Sequence, residues 1–413
     1  MLTVKKAQKT ILKNITSLNV IELKLLDALN FTLAKSITST INVPLMDNSS
    51  MDGYAIKFSD SIGANKNPVT LKIVGIIQAG EIFKKTLKKG QAIRIMTGAA
   101  VPNGADAVIP FEDTDEYKIT TQTKNIPTKV TLYKVVKKMD NIRRKAEDTK
   151  KGQVILKSGT VLGPAHIGLA ASVGIATLPV VRIPIVAIIS SGDEIIRPPK
   201  PIKPGQVYDS NSYSLASQVL KMGAKPLVLQ IAKDNLIDIK KKIQLAITKA
   251  DIVISSAGVS KGDFDLMKTV LMTKGIMHFW SIKMRPGKPL MFGMLRDKDQ
   301  KHVPHIGLPG NPVSAMVTFE IFAKPALLKM MGQDPNDIHT VEAILKNDIV
   351  NTDEREVYAR VSLKKTNGKL YATTTGNQGS GILQSMSRAN GLAICPYNIK
   401  TMKKGKKVEV ILL

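Results

Sequence analysis

The chain has 413 residues, of which 43% are hydrophobic and 23% charged, and its formal net charge is +27. A chain of this length predicts roughly two to four domains. Its single cysteine, Cys395, excludes an internal disulfide and a zinc site built on several cysteines.

The apolar segments argue against a membrane protein. The longest uncharged apolar stretch, residues 167–181, is interrupted by Gly168, Gly174 and Pro179 and is too short to cross a bilayer. Residues 1–15 mix lysines with apolar side chains and lack the continuous apolar core of a secretory signal. We therefore expect a cytoplasmic protein with no membrane span.

Lysine carries most of the positive charge. Only 10 of the 60 basic residues are arginine, the side chain whose fork suits phosphate and base recognition. Aromatic residues make up 4% of the chain, so stacking platforms for bases are scarce. The lysines are spread along the chain, with short clusters at 240–242 and 403–407. We interpret the charge as a lysine-rich composition and expect no specific nucleic-acid binding.

The first 180 residues begin with two amphipathic segments, at 4–15 and 21–37, and continue into an ordered loop at 44–56. A small β-rich domain is predicted next, because short apolar runs alternate with turns at 69–77, 91–96, 107–111 and 129–137. Residues 141–152 form a charged connector. Gly163-Pro164 predicts the start of a helix that Gly174 ends.

Residues 183–325 alternate strand-like and helix-like segments, which is typical of an α/β domain. The clearest helices are predicted at 215–222 and 236–249. Pro325 interrupts a helical pattern over 313–331 and predicts a new helix after a break. From residue 333 onward, β patterning predicts a small C-terminal β domain, with strands at 356–363, 370–374, 392–395 and 408–412.

Three glycine-rich loops, at 190–194, 255–263 and 307–312, each follow a short apolar run. These runs resemble buried parallel strands, whose carboxyl ends meet at one crevice where ligands bind. Glycine lets backbone N–H groups approach an anion, whereas carboxylates suit a hard cation. The loops therefore predict a phosphate-and-metal site for a nucleotide-like ligand. Its carboxylates are Asp193, Glu194, Asp263 and Asp265, and its candidate substrate contacts are Ser260, Pro309, Gly310, Asn311 and Pro312.

Several motifs also have a purely structural interpretation, which the residues alone leave open. The alternatives are turns at Asp52-Gly53 and Pro286-Gly287, a helix N-cap at Asp193, a strand-to-helix corner at 310–312, ordinary surface charges at Arg143 and Arg144, and a solvated acidic loop at 113–116.

Eight short motifs in chain order resemble molybdopterin molybdenumtransferase, the family that includes the E domain of gephyrin. They occupy residues 47–55, 95–99, 104–108, 191–194, 209–212, 285–289, 307–312 and 378–381, so the resemblance covers almost the whole chain. It implies a transferase that inserts molybdenum from molybdate into adenylylated molybdopterin, forms molybdenum cofactor and releases AMP. A divalent cation such as Mg²⁺ and a homodimer are implied as well.

The resemblance implies an α/β plus β multidomain fold, with a central three-layer α/β domain of the molybdopterin-binding type. Its implied divisions are an elongated split dimerisation domain at 1–56 and 141–182, an inserted β-rich domain at 57–140, the α/β catalytic domain at 183–330, and a C-terminal β-barrel-like domain at 331–413.

Roles for individual residues follow from the same resemblance. The implied catalytic residues are Asp52, Thr97, Glu194, Asp234 and Asp265, with Asp52 completing the cleft across the dimer. The implied metal ligands are Glu194, Asp234, Asp263 and Asp265. The implied anion or pterin contacts are Arg143, Arg285, Lys288, Arg360 and Ser380.

Four positions depart from the family pattern. Ala146 and Ala257 stand where glycine is usual, Lys261 stands where a small apolar residue is usual, and Arg285 often corresponds to lysine. If position 257 needs a positive φ, alanine there costs about 1 kcal/mol.

Two other functions compete with the transferase. A molybdopterin adenylyltransferase resembles residues 183–325, but its Gly-Gly-Thr-Gly loop is Ser-Ala-Gly-Val-Ser here. Such an enzyme is also a candidate partner that hands over the substrate. A non-catalytic scaffold of the gephyrin E-domain type is the second alternative, and the retained acids Glu194, Asp234 and Asp265 argue against it.

Overall fold

A computed structural model describes residues 1–118, 127–257, 269–273, 275–296 and 302–413. Ser260, Lys261, Asp263 and Asp265 lie outside the described residues.

A six-stranded mixed sheet organises the middle of the chain. The strands lie in the order Lys225–Val228, Ile185–Ser191, Ile252–Ala257, His302–Leu308, Pro289–Arg296 and Gly275–Ser281. The first four pair in parallel, whereas Pro289–Arg296 pairs antiparallel with both of its neighbours. Side chains alternate along each strand. In the strand Ile185–Ser191, Val186 and Ile188 pack on one side, and Ala187 and Ile189 pack on the other.

Helices cover both faces of this sheet and complete three layers. One face carries Val4–Lys13, Ser210–Lys221, Pro312–Thr318 and Lys324–Met330, and the other carries Leu236–Lys249. The predicted break before Pro325 is absent, because the π-helical segment Phe319–Ala323 joins the two helices around it. Pro325 lies in the first turn of the second helix, where a missing N–H is tolerated.

The N-terminal helix packs against the α/β layer. Val4, Ala7 and Ile11 are buried in the same apolar cluster as Leu327. This packing joins the N-terminal helix to the α/β unit. The predicted domain boundary at residue 56 remains a prediction.

Segments from both sides of the inserted sheet share one apolar core, formed by Ala28, Leu33, Leu156, Leu162, Ala170, Leu178 and Val180. The strands Val20–Lys24, Thr32–Leu33, Ile37–Thr38, Val154–Leu156 and Thr177–Val181 surround this core. Asn48–Ser49 and Ile142–Arg143 form a separate short pair, and Ile142 packs against a core of the inserted sheet. The helix Pro164–Ser172 begins and ends near the predicted Gly163-Pro164 and Gly174 signals.

The inserted region forms a five-stranded sheet. Its strands lie in the order Ala107–Pro110, Gly53–Ile56, Gln91–Ile95, Val69–Ile77 and Lys129–Leu132. Short 3-10 helices occupy Phe58–Ser61, Phe111–Asp113 and Asp115–Lys118.

The C-terminal sheet closes into a five-stranded barrel, because the strand Glu356–Thr366 pairs with both Lys369–Thr374 and Gly391–Cys395. Thr340–Leu345 and Lys407–Leu412 complete the ring. The short strand Met284–Arg285 of the α/β region pairs in parallel with Glu356–Thr366. The remaining small elements are Ile195–Ile196, Val207–Tyr208, Ile349–Val350, Thr401–Met402 and the helix Leu383–Ser387. The predicted α/β plus β class is confirmed.

Candidate functional site

The three predicted ligand loops follow adjacent parallel strands. Ile185–Ser191, Ile252–Ala257 and His302–Leu308 are neighbours in the sheet, and all three end at the same edge. The described parts of the three loops therefore meet at one crevice, as predicted from the apolar runs that precede them.

The loop after the first strand faces the carboxylate of Asp234. The Asp193 N–H donates to Asp234 Oδ2 at 3.3 Å, and the Asp234 N–H donates to Asp193 Oδ1 at 3.3 Å. A side chain at Gly192 would lie 2.8 Å from Glu194 Oε2, so the Glu194 carboxylate covers this glycine. Residues 195–196 form a short strand, so the interpretation of Asp193 as a helix N-cap is wrong.

Asn211 joins the other two loops. Its side-chain amide donates to Ser256 Oγ at 2.6 Å and to the Gly310 carbonyl at 2.7 Å. Ser256 Oγ in turn donates to the Pro309 carbonyl at 3.4 Å. The 307–312 loop leads into the helix Pro312–Thr318, as the strand-to-helix interpretation predicted.

Buried polar groups support this edge of the sheet. Asp209 caps the helix Ser210–Lys221 by accepting from the Ser212 N–H at 3.0 Å, and it also accepts from Ser190 Oγ at 3.2 Å. Ser255 Oγ lies 2.8 Å from His305 Nε2. Because His305 is fully buried, desolvation lowers its pKa to about 3 and keeps the ring neutral at pH 7.

A cavity of about 170 Å³ lies between the α/β region and the C-terminal barrel, and Arg285, Arg360 and Gln378 are among the residues that line it. Arg285 Nη1 donates to Thr352 Oγ1 at 3.2 Å. Lys288 lies three residues along the same turn and is exposed. A side chain at Gly287 would lie 2.3 Å from Thr318 Cγ2, so this glycine allows the turn to pack against the helix Pro312–Thr318.

Arg360 is a buried cation at this cavity. Its Nε donates to Ser385 Oγ at 2.7 Å, and its Nη2 donates to the carbonyls of Asn377 and Gly379. Nη1 has no hydrogen-bond partner among the described residues. Burial lowers the pKa of Arg360 to about 10, so the guanidinium stays charged at pH 7. A buried charge bonded only to neutral groups is well suited to compensation by an anion.

The backbone connects the cavity to the crevice. The Val313 N–H, just after Pro312, donates to the Ser380 carbonyl at 3.1 Å. The loop that carries Gly310 and Asn311 therefore contacts the loop that carries Ser380. Among the predicted residues, this hydrogen bond brings Pro312 close to Ser380, and the bond from Arg360 to the Gly379 carbonyl brings Ser380 close to Arg360.

Asp52, Thr97 and Arg143 form a separate group. Asp52 Oδ1 accepts from the Thr97 N–H at 2.6 Å and from Thr97 Oγ1 at 2.9 Å. Arg143 is exposed and lies opposite Asn48 in a short antiparallel pair. No hydrogen bond within the described ranges joins Asp52 or Thr97 to Glu194 or to the residues that line the cavity. The turn at Asp52-Gly53 leads directly into the strand Gly53–Ile56.

The comparisons with known proteins agree along the whole chain. The model for the MoeA N-terminal region (domains I and II) matches residues 2–174, the model for a probable molybdopterin binding domain matches 187–329, and the model for the MoeA C-terminal region (domain IV) matches 342–413.

Two relatives are named molybdopterin molybdenumtransferase. The protein from Nostoc sp. is 36% identical over 385 residues, with 92% of this chain and 86% of the relative covered. The protein from Haemophilus influenzae is 34% identical over 416 residues, with 99% and 98% covered.

The chain belongs to the molybdopterin molybdenumtransferase family.

Solved structures of the family have the same fold. One molybdopterin biosynthesis MoeA protein from Pyrococcus horikoshii superimposes with a TM-score of 0.84 at 32% identity, covering 100% of this chain and 99% of the other. A second from the same organism gives a TM-score of 0.80 at 28% identity, covering 100% of both chains.

Two departures from the family pattern now have a structural context. Ala146 has a φ of +62°, the left-handed conformation that glycine adopts most easily. Ala257 lies opposite Ser191 in extended strand pairing, so the strain considered for that position does not arise.

The sequence alone did not single out Asn211, although this residue lies in the 209–212 motif. The sequence pattern that could have indicated it is an asparagine in the first turn of a helix beside the crevice.

The described residues alone do not form a metal centre. Within the described ranges, no group of three or more His, Cys, Asp or Glu side chains is arranged to hold a metal ion. The carboxylates of Asp193 and Asp234 accept hydrogen bonds from each other's backbone.

Among the described residues, no helix is long and apolar enough to cross a membrane.

Proposed function

We propose that this chain inserts molybdenum from molybdate into adenylylated molybdopterin, forming molybdenum cofactor and releasing AMP. One observation carries the proposal. A crevice of strand-end loops, suited to phosphates, contacts a cationic cavity, suited to an oxyanion, through the Val313–Ser380 hydrogen bond.

The two sites divide the reaction between them. Hydrolysis of the pyrophosphate linkage forms one P–O bond to a water oxygen and breaks the bridging P–O bond. The water loses a proton to solvent, and negative charge shifts onto the leaving phosphate. Backbone N–H groups of the 307–312 loop are suited to stabilising that charge. Lys288, Arg285 and Arg360 supply positive charge for molybdate, with Lys288 as the accessible point charge.

A divalent cation is a separate part of the proposal. Glu194 and Asp234 supply oxygen ligands of the type that Mg²⁺ prefers. These described carboxylates do not make a complete site, so we assign no step to the metal. Asp263 and Asp265 are the further ligands that the proposal names. AMP release that persists after EDTA treatment and is unaffected by added Mg²⁺ would contradict it.

We also propose a homodimer, in which Asp52 of one subunit completes the crevice of the other. Large apolar side chains are exposed along the region whose core combines residues 20–38 and 154–181. They are Val20, Leu26, Leu29, Val154 and Val161, and the adjoining loop at 44–56 adds Leu45, Met46 and Met51. A second copy of this chain would cover such a surface.

The test is AMP release from adenylylated molybdopterin with and without molybdate. Asp52→Asn keeps an oxygen acceptor for Thr97 but removes the charge, so we expect at least a tenfold loss of turnover in a folded protein. Asp47→Asn is the matched control. Asp47 lies in the same loop as Asp52, is also exposed, and accepts a hydrogen bond from the Lys145 N–H. Wild-type protein that releases no AMP would refute the proposed function, and equal loss in both variants would refute the role of Asp52.

A further inference from the structure

We propose that Asn211 is a positioning residue, which sets the separation of two ligand loops by holding the end of the strand Ile252–Ala257 to the Gly310 backbone. The inference rests on the proposed function, since it concerns the same crevice. The inference assigns a role to a residue that is neither one of the proposed anion contacts nor one of the proposed metal-binding carboxylates.

The contacts of Asn211 cross the mouth of the crevice. One amide nitrogen donates both to Ser256 Oγ, at 2.6 Å, and to the Gly310 carbonyl, at 2.7 Å. The two acceptors belong to different strand-end loops. Ser256 Oγ also donates to the Pro309 carbonyl, so the Asn211 amide, the Ser256 hydroxyl and two backbone carbonyls form one connected network. The 307–312 loop is thus fixed at two successive carbonyls.

The orientation of the amide is determined by its acceptors. A carbonyl such as that of Gly310 only accepts, so the nitrogen and not the oxygen of Asn211 must face it. The amide oxygen is buried and has no hydrogen-bond partner among the described residues. Native structures rarely leave a buried acceptor in this state, which indicates a constraint on this side chain beyond helix formation.

Helix formation does not explain asparagine at this position. Residue 211 lies in the first turn of the helix Ser210–Lys221, and Asp209 already supplies the N-cap. Asparagine has lower helix propensity than alanine because its side chain competes for backbone groups. In Asn211 that side chain reaches across to the two loops instead. Its role therefore lies in the crevice rather than in the helix.

The helix contains a matched control. Gln218 donates from its amide to the Met316 carbonyl at 3.2 Å and to Glu320 Oε1 at 2.8 Å, so it also joins the helix to a neighbour through two bonds. These bonds lie two turns from the loops. Gln218→Met removes them and keeps most of the side-chain volume.

The experiment compares Asn211→Ala, Asn211→Asp and Gln218→Met in the full chain. We expect kcat/KM for adenylylated molybdopterin to fall about tenfold or more in both Asn211 variants, while the half-saturating molybdate concentration changes less than about twofold. Gln218→Met should keep wild-type kinetics. In Asn211→Asp, lowering the pH should partly restore kcat/KM relative to Asn211→Ala, because a protonated acid can donate one bond.

Hydrogen–deuterium exchange without substrate gives a second readout. The amides of Val313 and Ala315 should exchange at least fivefold faster in Asn211→Ala than in wild type or Gln218→Met. Wild-type exchange and kinetics in Asn211→Ala would overturn the inference, as would equal effects in Gln218→Met. Absence of AMP release by the wild-type protein would refute the proposed function alone, because the exchange measurement does not depend on it.

Discussion

Lys288 and Arg360 carry the same charge in opposite environments: Arg360 lines the cavity, whereas Lys288 lies two residues after Pro286, another residue of the cavity lining. Arg360 is enclosed, and its three donated hydrogen bonds go to neutral oxygens. Lys288 is exposed on a turn. A substitution of Arg360 would disturb folding and binding together, so Lys288 is the cleaner probe of anion binding.

We predict that Lys288→Met raises the half-saturating molybdate concentration about tenfold, which corresponds to about 1.4 kcal/mol, the scale of one hydrogen bond to a charged group. The thermal unfolding midpoint should stay close to that of wild type. Steady-state AMP release against molybdate concentration measures the first quantity. Lys283→Met, an exposed neighbour, is the control. An unchanged molybdate dependence in Lys288→Met would place the anion elsewhere.

His305 predicts a specific pH dependence of stability. Its pKa is lowered to about 3 in the folded protein by burial, whereas an exposed histidine titrates near 6.5. Between these values the unfolded state binds the additional proton, so the free energy of unfolding falls as the pH falls. The slope is up to about 1.4 kcal/mol per pH unit, and the change between pH 6.5 and 5 is about 1.6 kcal/mol.

Urea unfolding at pH 7, 6 and 5 tests this prediction against His305→Gln. The variant loses the ring and should be less stable at pH 7, but its stability should depend less on pH over the same range. Parallel pH profiles in the two proteins would mean that His305 does not remain neutral when folded.

Among the elements, the strand Gly53–Ile56 depends on the absence of a side chain at its first residue. A Cβ at Gly53 would lie 2.0 Å from the Ile109 carbonyl oxygen of the paired strand. Backbone atoms cannot move aside as a flexible side chain can. Sheet packing therefore requires glycine at position 53, next to Asp52.

We predict that Gly53→Ala destabilises the protein by roughly 1–3 kcal/mol or more. Gly168→Ala is the contrasting variant, since Gly168 lies inside the helix Pro164–Ser172 with open space around its Cβ position. The Gly168→Ala variant should raise the free energy of unfolding by about 0.5–1 kcal/mol. Chemical denaturation of both variants measures the difference, and a neutral Gly53→Ala would show that the two strands can separate.

Local patterns were sufficient to predict elements whose cause is local. The run 69–77 became the strand Val69–Ile77, and 236–249 became the helix Leu236–Lys249, because periodicity and caps lie within each segment. The same holds for the three strand-end loops. Their convergence follows from a general rule for parallel sheets, so the crevice could be predicted.

Elements that depend on distant partners could not be predicted. The acidic run at 113–116 was expected to be a solvated loop, but Glu116 accepts from Tyr54 Oη at 2.5 Å and from Arg94 Nε at 3.0 Å. These partners lie 62 and 22 residues away. The continuity of the helix through Pro325 and the network of Asn211 likewise depend on tertiary packing.

At the scale of the whole molecule, we predict a homodimer whose interface includes Leu26. This side chain is 84% exposed in the single chain. Leu26→Glu should shift the light-scattering mass at micromolar concentration toward the monomer and reduce AMP release. Ile237→Glu changes a side chain that is 82% exposed on a different surface, and should leave both unchanged. A wild-type protein that is monomeric and fully active would contradict the shared crevice.

The net charge of +27 leads to a different whole-molecule prediction. Binding to nucleic acid should be weak and should fall steeply between about 50 and 200 mM salt, as expected for lysine contacts to phosphates. Filter binding with two unrelated duplexes measures it. Binding that survives at physiological salt and differs between the duplexes would contradict this interpretation of the charge.

The pairing of Met284–Arg285 with Glu356–Thr366 limits how the protein can be dissected. A recombinant fragment that stops after the α/β sheet would keep Glu194, Asp234 and Asn211, yet it would leave Arg285 beside an open edge and would lack Arg360 altogether. Under the proposed division of the reaction, we expect such a fragment to keep the nucleotide site and to lose the oxyanion site. Under the proposed assignment of Arg285 and Arg360 to molybdate, we expect the minimal molybdate-binding unit to include the C-terminal barrel.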